Sequence, residues 1–423
     1  MEYSAPRGTQ DILPAQSPRW RYLEDRFRDI CRVYGYEELR TPTFEETELF
    51  KRSIGEFTDI VGKEMYTFVD RGDRSMTLRP EGTAPVVRAF LQHKLYGERP
   101  VTKVYYVASI FRYERPQAGR YREHHQVGVE ALGSQDPAID AEVIALAMQY
   151  LSSLEMRGLE LKINSVGCPI CRPQYRDALK EAVKSYLGEL CESCQTRYEA
   201  NPLRMLDCKV PNCRELTSDV PNIVDTLCDD CSEHHDAVLH YLDVLGIKYT
   251  MDTRLVRGFD YYTKTAFEVV SGELGAQSAV LGGGRYDKLV AEMGGPQTPA
   301  VGFGSGIERQ LAILEAQGIE LPVDIHPTAF VITLGENTRE AGIKLLADLR
   351  REGIASEIDY SGKSMKAQMR AADREMAGFA VIIGEEELNQ GQAKVRDMGS
   401  REEVSVALDA VSDWLKSVKG LSK

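Results

Sequence analysis

The chain has 423 residues, 28% of them charged, 43% hydrophobic, with a formal net charge of −13. That length predicts two or three domains, and the balance is that of a soluble globular protein. No apolar run reaches membrane-spanning length, and the opening MEYSAPRGTQDILP lacks the apolar core of a secretion signal, so a cytoplasmic protein is expected; the acidic balance excludes indiscriminate nucleic-acid binding but leaves room for a local basic surface.

Trp20, Leu23, Phe27, Ile30 and Cys31 recur at helical spacing. They predict a helix from Ser17 to Tyr34, with Ser17 as N-cap, Pro18 in the first turn and Gly35 as the stop. EELRTPT at 37–43 reads as a short strand-like link. Its Pro42 suits an edge strand, for instance one near a subunit contact. Met65 to Val69 and Ser75 to Leu78 read as strands around a polar turn. In LRPEGTAP (78–85), Thr83 is the expected cap of a helix from Ala84 to His93. Glu81, beside that helix start, is favoured by the helix dipole and could equally hold a ligand's ammonium group.

Val101 to Ile110 and Val127 to Leu132 are strand-like, being rich in β-branched and aromatic residues. Between them runs FRYERPQAGRYREHHQ (111–126), with a turn signal at Pro116 to Gly119. The expected unit is a long hairpin with arginines at both ends of its loop. Guanidinium groups grip phosphate bidentately and keep their charge. As a bare charge run, the same stretch is better explained as a solvated, salt-bridged surface.

Asp140 to Met156 reads as a helix and Glu160 to Asn164 as a strand. From Cys168 to about Val244 the sequence turns polar, helical and cysteine-rich, interrupting strand-rich sequence on both sides. It carries CPIC, CESC and CDDC at 168–171, 191–194 and 228–231, plus Cys208 and Cys213. Repeated CxxC pairs in reduced thiols point to zinc as readily as to plain packing, and several ligand sets are open. Thr265 to Val270 and Ser278 to Leu281 are strand-like. GGGRYD (282–287) reads as a glycine-rich turn. AVGFGSG (300–306) enters a helix from Ile307 to Gln317 whose first turn carries Arg309. A linker is expected at 321–326. Beyond it, strands and helices alternate to the end, predicting an independent α/β domain. Lys363, Lys366, Arg370 and Arg374 make one side of its second helix basic.

Together these pieces resemble the histidyl-tRNA synthetases, a family of class II aminoacyl-tRNA synthetases, over almost the whole chain. The segment around Pro42 looks like the first class signature, FRYERPQAGRYREHHQ like the second and GFGSGIERQ like the third. LVRGFDYYT (255–263) and GGGRYD are similar to the histidine-specific stretches, with LRPEGTA upstream. Two positions depart from the pattern. His124 stands where an aromatic suited to stacking on adenine is common, and Gln310 where leucine is usual.

The resemblance implies an α+β catalytic domain (1–165 and 246–321) with a six-stranded antiparallel sheet. It also implies a small, cysteine-rich, mostly helical insertion (166–245), a C-terminal α/β anticodon-binding domain (327–423) and a homodimer. The implied reaction joins L-histidine to its tRNA through a histidyl-adenylate, with ATP as substrate, Mg2+ present, and AMP and pyrophosphate released. Structural zinc is a further option. By motif matching, Glu81 and Thr83 would hold the histidine amino group with Gln126 nearby. Glu130 and Tyr262 would read the imidazole, with Tyr261 and Tyr286 lining the site. Arg257 would contact the substrate carboxylate and the α-phosphate, Arg112 the α-phosphate, and Arg309 the triphosphate or adenine side. Arg115 and Gln117 would approach the tRNA acceptor end. A regulatory paralogue without ligase activity, or a tRNA-sensing module, is disfavoured by the intact arginines, the histidine-specific stretches and the C-terminal domain.

Overall fold

In the computed structural model, which describes residues 3–55, 58, 60–114, 120–274 and 279–419, helix α1 (Ser17–Val33) buries Trp20, Leu23, Phe27, Ile30 and Cys31, as their spacing predicts. Its N-cap is Gln16, so Ser17 already lies in the first turn. Strands β1 (Glu37–Glu38) and β2 (Phe44–Glu46) follow, then α2 (Thr47–Ile54), β3 (Tyr66–Val69) and β4 (Ser75–Leu78). β2, β4 and β3 form a small antiparallel sheet. Pro42 lies between β1 and β2, outside either strand. Buried Arg79 holds this link, donating to the carbonyls of Thr41 at 3.0 Å, Pro42 at 3.3 Å and Ser109 at 2.7 Å.

The next elements are α3 (Thr83–Gln92), β5 (Thr102–Phe111), β6 (Glu123–Leu132), α4 (Pro137–Ser153) and β7 (Leu159–Ser165). β6 begins four residues earlier than its apolar run implies, because Glu123 to Gln126 pair fully with β5. Helices α5 (Arg172–Val183), α6 (Glu192–Ala200), α7 (Pro211–Leu216) and α8 (Asp229–Val244) carry the cysteine-rich segment between β7 and β8 (Thr250–Met251). The unit closes with β9 (Thr263–Ser271), β10 (Ala279–Arg285), the short α9 (Leu289–Glu292), β11 (Ala300–Gly306) and α10 (Ile307–Ala316).

The main sheet is larger than six antiparallel strands. It has eight, in the order β1-β5-β6-β11-β10-β9-β7-β8. The inner six pair antiparallel. The two-residue strands β1 and β8 add parallel pairs at the edges, and segments that short leave no alternation to read. GGGRYD is a second correction. Gly282, Gly283 and Gly284 are not a turn but part of β10, paired on both sides.

Alternation along the inner strands sorts the two faces of this sheet. Val127, Val129 and Ala131 of β6, Val301 and Phe303 of β11 and Phe267 and Val269 of β9 enter the main core. There they meet α1, α4 and α10. A charged lock sits at one end. Arg285 and Asp140 are fully buried, and Arg285 Nε lies 3.1 Å from both carboxylate oxygens. Arg285 also donates to the Ser134 carbonyl at 2.9 Å and to Asp287 at 3.0 Å. Desolvation of the Asp140 carboxyl is outweighed by the guanidinium and by His234, which pull it down to about 2.

The chain divides into compact units at 1–322 and 323–423. The second holds β12 (Ala329–Leu334), α11 (Thr338–Arg351), β13 (Ser356–Ile358), α12 (Met365–Arg374), β14 (Phe379–Gly384), α13 (Glu385–Asn389), β15 (Gln392–Asp397), β16 (Glu403–Ala407) and α14 (Val411–Lys419). Its sheet runs β13-β12-β14-β15-β16. Val331, Val381 and Ile383 pack on the α11 side, and Phe330, Ile332 and Ile382 toward Ala372 of α12. Lys363, Lys366, Arg370 and Arg374 are all exposed. No helix of the described residues is long and apolar enough to cross a membrane.

Removing one partner of a buried pair leaves an uncompensated charge, at about 3–5 kcal/mol. Asp140→Ala should therefore lower the thermal midpoint of the 1–322 unit well below wild type in circular dichroism melts. An unchanged midpoint would show that the lock adds no stability.

Candidate active site

The second face of the main sheet is paved with glycine. Gln126, Gly128 and Glu130 alternate along β6, and opposite them lie Gly306, Gly304 and Gly302 of β11. Gly304 and Gly302 pair in turn with Gly282 and Gly284 of β10, and Gly282 with Glu268 of β9. The vacated space is occupied. A Cβ at Gly304 would overlap the Gln126 amide, one at Gly302 the Glu130 carboxylate, one at Gly282 the Arg257 guanidinium and one at Gly128 the Tyr106 ring. Glycine is unfavourable within strands, and here it lets polar side chains lie flat on the sheet. The result is a cavity of about 740 Å³ lined by Glu81, Thr83, Arg112, Gln126, Glu130, Arg257, Tyr261, Tyr262, Tyr286 and Arg309, within the usual size range for small-molecule sites.

At the start of α3, the expected cap Thr83 is the first helical residue. Glu81 performs the capping instead. Its carboxylate accepts the backbone N–H groups of Thr83 and Ala84, each at 2.6 Å. Burial raises its pKa and these bonds oppose the rise. The Thr83 hydroxyl is thereby left to donate to Glu130, at 2.7 Å. The other Glu130 oxygen accepts the phenol of Tyr286. Burial pushes Glu130 up to about 8 despite both bonds. Its phenolic partner is thus Tyr286, whereas Tyr262 lies against Arg257, with 5.5 Å from guanidinium carbon to ring centre. Tyr261 stacks on Phe259 at 5.2 Å.

The arginines come from three separate elements. Arg112, at the end of β5, donates Nε to the Pro80 carbonyl at 2.7 Å and lies 5.7 Å from the Phe259 ring centre. Arg257 donates to Glu268 at 3.0 Å, and its Nε is buried with no partner among the described residues. Arg309, on α10, donates to the Ala279 carbonyl. Such a group of fixed cations suits an anionic, phosphate-bearing ligand. The Gln126 Oε1 is likewise buried without a partner among the described residues. Buried acceptors in this state are uncommon, and a ligand can complete this one.

The two departures from the sequence pattern separate here. His124 lines the cavity. Burial, with Arg112 and other cations around it, pulls its pKa down to about 3, so the ring is neutral at physiological pH and free to pack on a flat partner. Gln310 faces away from the cavity. It is fully buried between Tyr150, whose hydroxyl it accepts at 2.7 Å, and Ser305, to which it donates at 2.7 Å. His125, also unremarked by its sequence, binds Glu308 through Nδ1 at 3.0 Å and meets Trp20 edge-on. Arg115 and Gln117, with the turn at 116–119, lie outside the described residues. Sequence reasoning missed Tyr106, Glu268 and the glycine floor. The alternation of Gly302, Gly304 and Gly306 along β11 is the signal that could have found the floor. Eight cysteines gather into two sets, Cys168, Cys171, Cys228 and Cys231, and Cys191, Cys194, Cys208 and Cys213.

The sheet with its arginine-ended hairpin, Arg309 at the head of α10 and the separate α/β unit agree with the class II aminoacyl-tRNA synthetase pattern that the sequence resembles. Residues 8–309 match the family model for histidyl-tRNA synthetase and residues 328–418 that for an anticodon-binding domain. The chain is 53% identical to a histidine–tRNA ligase of Caldanaerobacter subterraneus, covering 98% of this chain and 99% of that one. It is 54% identical to a histidine–tRNA ligase of Moorella thermoacetica, covering 98% of each. The crystal structure of apo histidyl-tRNA synthetase from S. aureus is similar with a TM-score of 0.84 at 41% identity, covering 98% of this chain and 100% of that one. The chain belongs to the histidyl-tRNA synthetase family.

The raised Glu130 pKa has a stability consequence. Between about pH 4.5 and pH 8 the unfolded chain has lost this proton while the folded one keeps it, so the Glu130 contribution falls as pH rises through that window. Melting wild type and Glu130→Gln in parallel should show wild type losing ground to the variant from pH 5 to pH 8. Parallel midpoints across the window would refute the assignment.

Proposed function

We propose that the glycine-floored cavity is where histidine and ATP meet. The chain ligates L-histidine to tRNA, driven by ATP. Histidine's carboxylate attacks the α-phosphorus, pyrophosphate leaves, and the histidyl-adenylate then acylates the terminal adenosine of the tRNA with release of AMP. The observation that carries this placement is the convergence of Glu81, Gln126, Glu130 and Arg257 on one cavity.

Glu81, with its carboxylate fixed by two N–H groups, and Gln126, with its free acceptor, fit the α-ammonium group, and Thr83 orients the end of Glu130. Imidazole has one donor and one acceptor nitrogen. A carboxyl held between a hydroxyl and a phenol, with Tyr261, Tyr262 and Tyr286 around it, can satisfy both. An apolar side chain there would leave these groups buried and unpaired, so the site discriminates strongly by binding alone. Arg257, with its unpartnered Nε, fits the substrate carboxylate and the α-phosphate together. Arg112 fits the α-phosphate, Arg309 the triphosphate side, and the neutral His124 ring the adenine face. Mg2+ would come with the triphosphate and take mostly phosphate and water oxygens. Glu268, a carboxylate on the cavity wall, is of the donor type it accepts. The chemistry needs charge stabilisation at the phosphorus more than a general base.

The same reading makes 166–245 an insertion into the catalytic domain and the 323–423 unit the reader of the anticodon, with the exposed basic side of α12 toward RNA. It directs Arg115 and Gln117 to the acceptor end and places a homodimer in the cytoplasm.

Purified protein should exchange pyrophosphate into ATP only when histidine and magnesium are present. Arg257→Ala should slow this exchange by about a hundredfold or more, the range for losing one preorganised transition-state donor. Arg257→Lys should recover little, because a point charge cannot span carboxylate and phosphate. Arg257→Ala exchanging at the wild-type rate would remove the role given to Arg257. Histidine binding without any exchange would remove the ligase assignment.

A further inference from the structure

The eight cysteines of the segment between β7 and β8 form nested sets. Cys168 and Cys171 at its beginning meet Cys228 and Cys231 at its end, while Cys191 and Cys194 meet Cys208 and Cys213 in the middle. Within the first set, Sγ atoms lie 3.7 Å apart for Cys168 and Cys228, 3.8 Å for Cys168 and Cys171, and 3.9 Å for Cys171 and Cys231. In the second, Cys191 and Cys208 lie 3.8 Å apart. A disulfide requires about 2.05 Å. Four sulfurs at about 2.3 Å around one tetrahedral ion require edges of about 3.8 Å. These four spacings match edges of such a tetrahedron, and within each set every sulfur lies within 4.8 Å of the others.

The surroundings agree. Backbone N–H groups point at sulfur: Ile170 to Cys168 at 3.3 Å, Cys168 to Cys171 at 3.2 Å and Cys191 to Cys213 at 3.2 Å. Such bonds support thiolate ligands. The Arg172 guanidinium lies in the field of the first set and Arg254 in that of Cys208, and a divalent ion on four thiolates leaves a charge of about −2 for such cations to offset. The apolar core here is small, and its second half counts Cys194, Cys208 and Cys213 among its buried members. Small cores of this kind need a staple.

Residues beside both sets also reach the segment 254–264. Beside the first, Gly167 accepts from the Lys264 N–H at 2.8 Å, and Arg172 donates to the Tyr262 carbonyl. Beside the second, Arg254 donates to the carbonyls of Leu206 and Thr217, and Asn201 donates to Asp260 at 2.8 Å. We propose that the chain holds two structural zinc ions, one in each tetrathiolate set, and that the two centres clamp from both sides the segment carrying Arg257, Tyr261 and Tyr262. The clamp rests on the reading of those residues as histidine and phosphate contacts; the zinc sites do not.

Elemental analysis of the full-length protein, purified without chelator, tests the sites. Two zinc ions per chain are expected, falling to one in Cys171→Ser and to one in Cys208→Ser. Since either variant can misfold, cobalt exchange into the wild-type protein provides a second readout, with thiolate-to-cobalt charge-transfer and tetrahedral ligand-field bands titrating to two equivalents. Absence of metal, iron in place of zinc, or disulfides found by mass spectrometry would overturn the sites. A single zinc would overturn the set whose variant still retains it. For the clamp, zinc withdrawal should raise the KM for histidine in pyrophosphate exchange by about tenfold, with helix content retained. An unchanged KM after zinc loss would overturn the clamp and leave both sites standing.

Discussion

Everything in the site depends on the absence of side chains from one face of three adjacent strands. Gly128, Gly302, Gly304 and Gly282 keep that face bare, and the amide of Gln126, the carboxylate of Glu130, the guanidinium of Arg257 and the ring of Tyr106 occupy the space. Glycine weakens a strand, so the sheet needs compensation elsewhere. It comes from the opposite face, where Val127, Val129, Val301, Phe303 and Phe267 pack against α1, α4 and α10. The alternation of the strand separates the two tasks: one parity of residues stabilises the sheet and the other leaves it open.

The polar groups on the open face carry a cost of their own. Glu130 is 1% exposed and Glu81 3%, and burial pushes both carboxyl groups upward. Their hydrogen bonds keep them ordered without satisfying them fully, and Gln126 Oε1 and Arg257 Nε have no partner among the described residues. Groups left in this state favour a ligand that completes them and penalise one that does not. Rigidity follows from the same bonds. Glu81 is fixed by the head of α3, Thr83 by Glu130, and Tyr286 by both Glu130 and the strand that the Arg285–Asp140 lock secures.

Much of this was legible in the sequence, and the rest was hidden for identifiable reasons. The helical spacing of Trp20 to Cys31 and the apolar run from Val101 gave their elements directly, because burial imposes a period. The GGGRYD stretch misled, because glycine clusters belong far more often to turns than to strands; only the pairing with β9 and β11 reveals it as a floor. Two-residue edge strands have no period to detect. Thr83 looked like the cap because of its residue type, yet Glu81 reaches the same N–H groups and the threonine is freed for Glu130. Gln310 stood out as a departure from the usual leucine, and a helix turn places it in the core between Tyr150 and Ser305. The cysteines announced a metal-like pattern but not their pairing, since nested ligand sets depend on how the helices fold back.

The floor is tested most directly at Gly304, where the three atoms nearest an added Cβ all belong to the Gln126 side chain. Steady-state pyrophosphate exchange by Gly304→Ala should show the KM for histidine raised about ten- to hundredfold, the scale of one misplaced hydrogen bond to a charged group, with the thermal midpoint close to wild type. A folded Gly304→Ala enzyme with an unchanged KM for histidine would contradict the account.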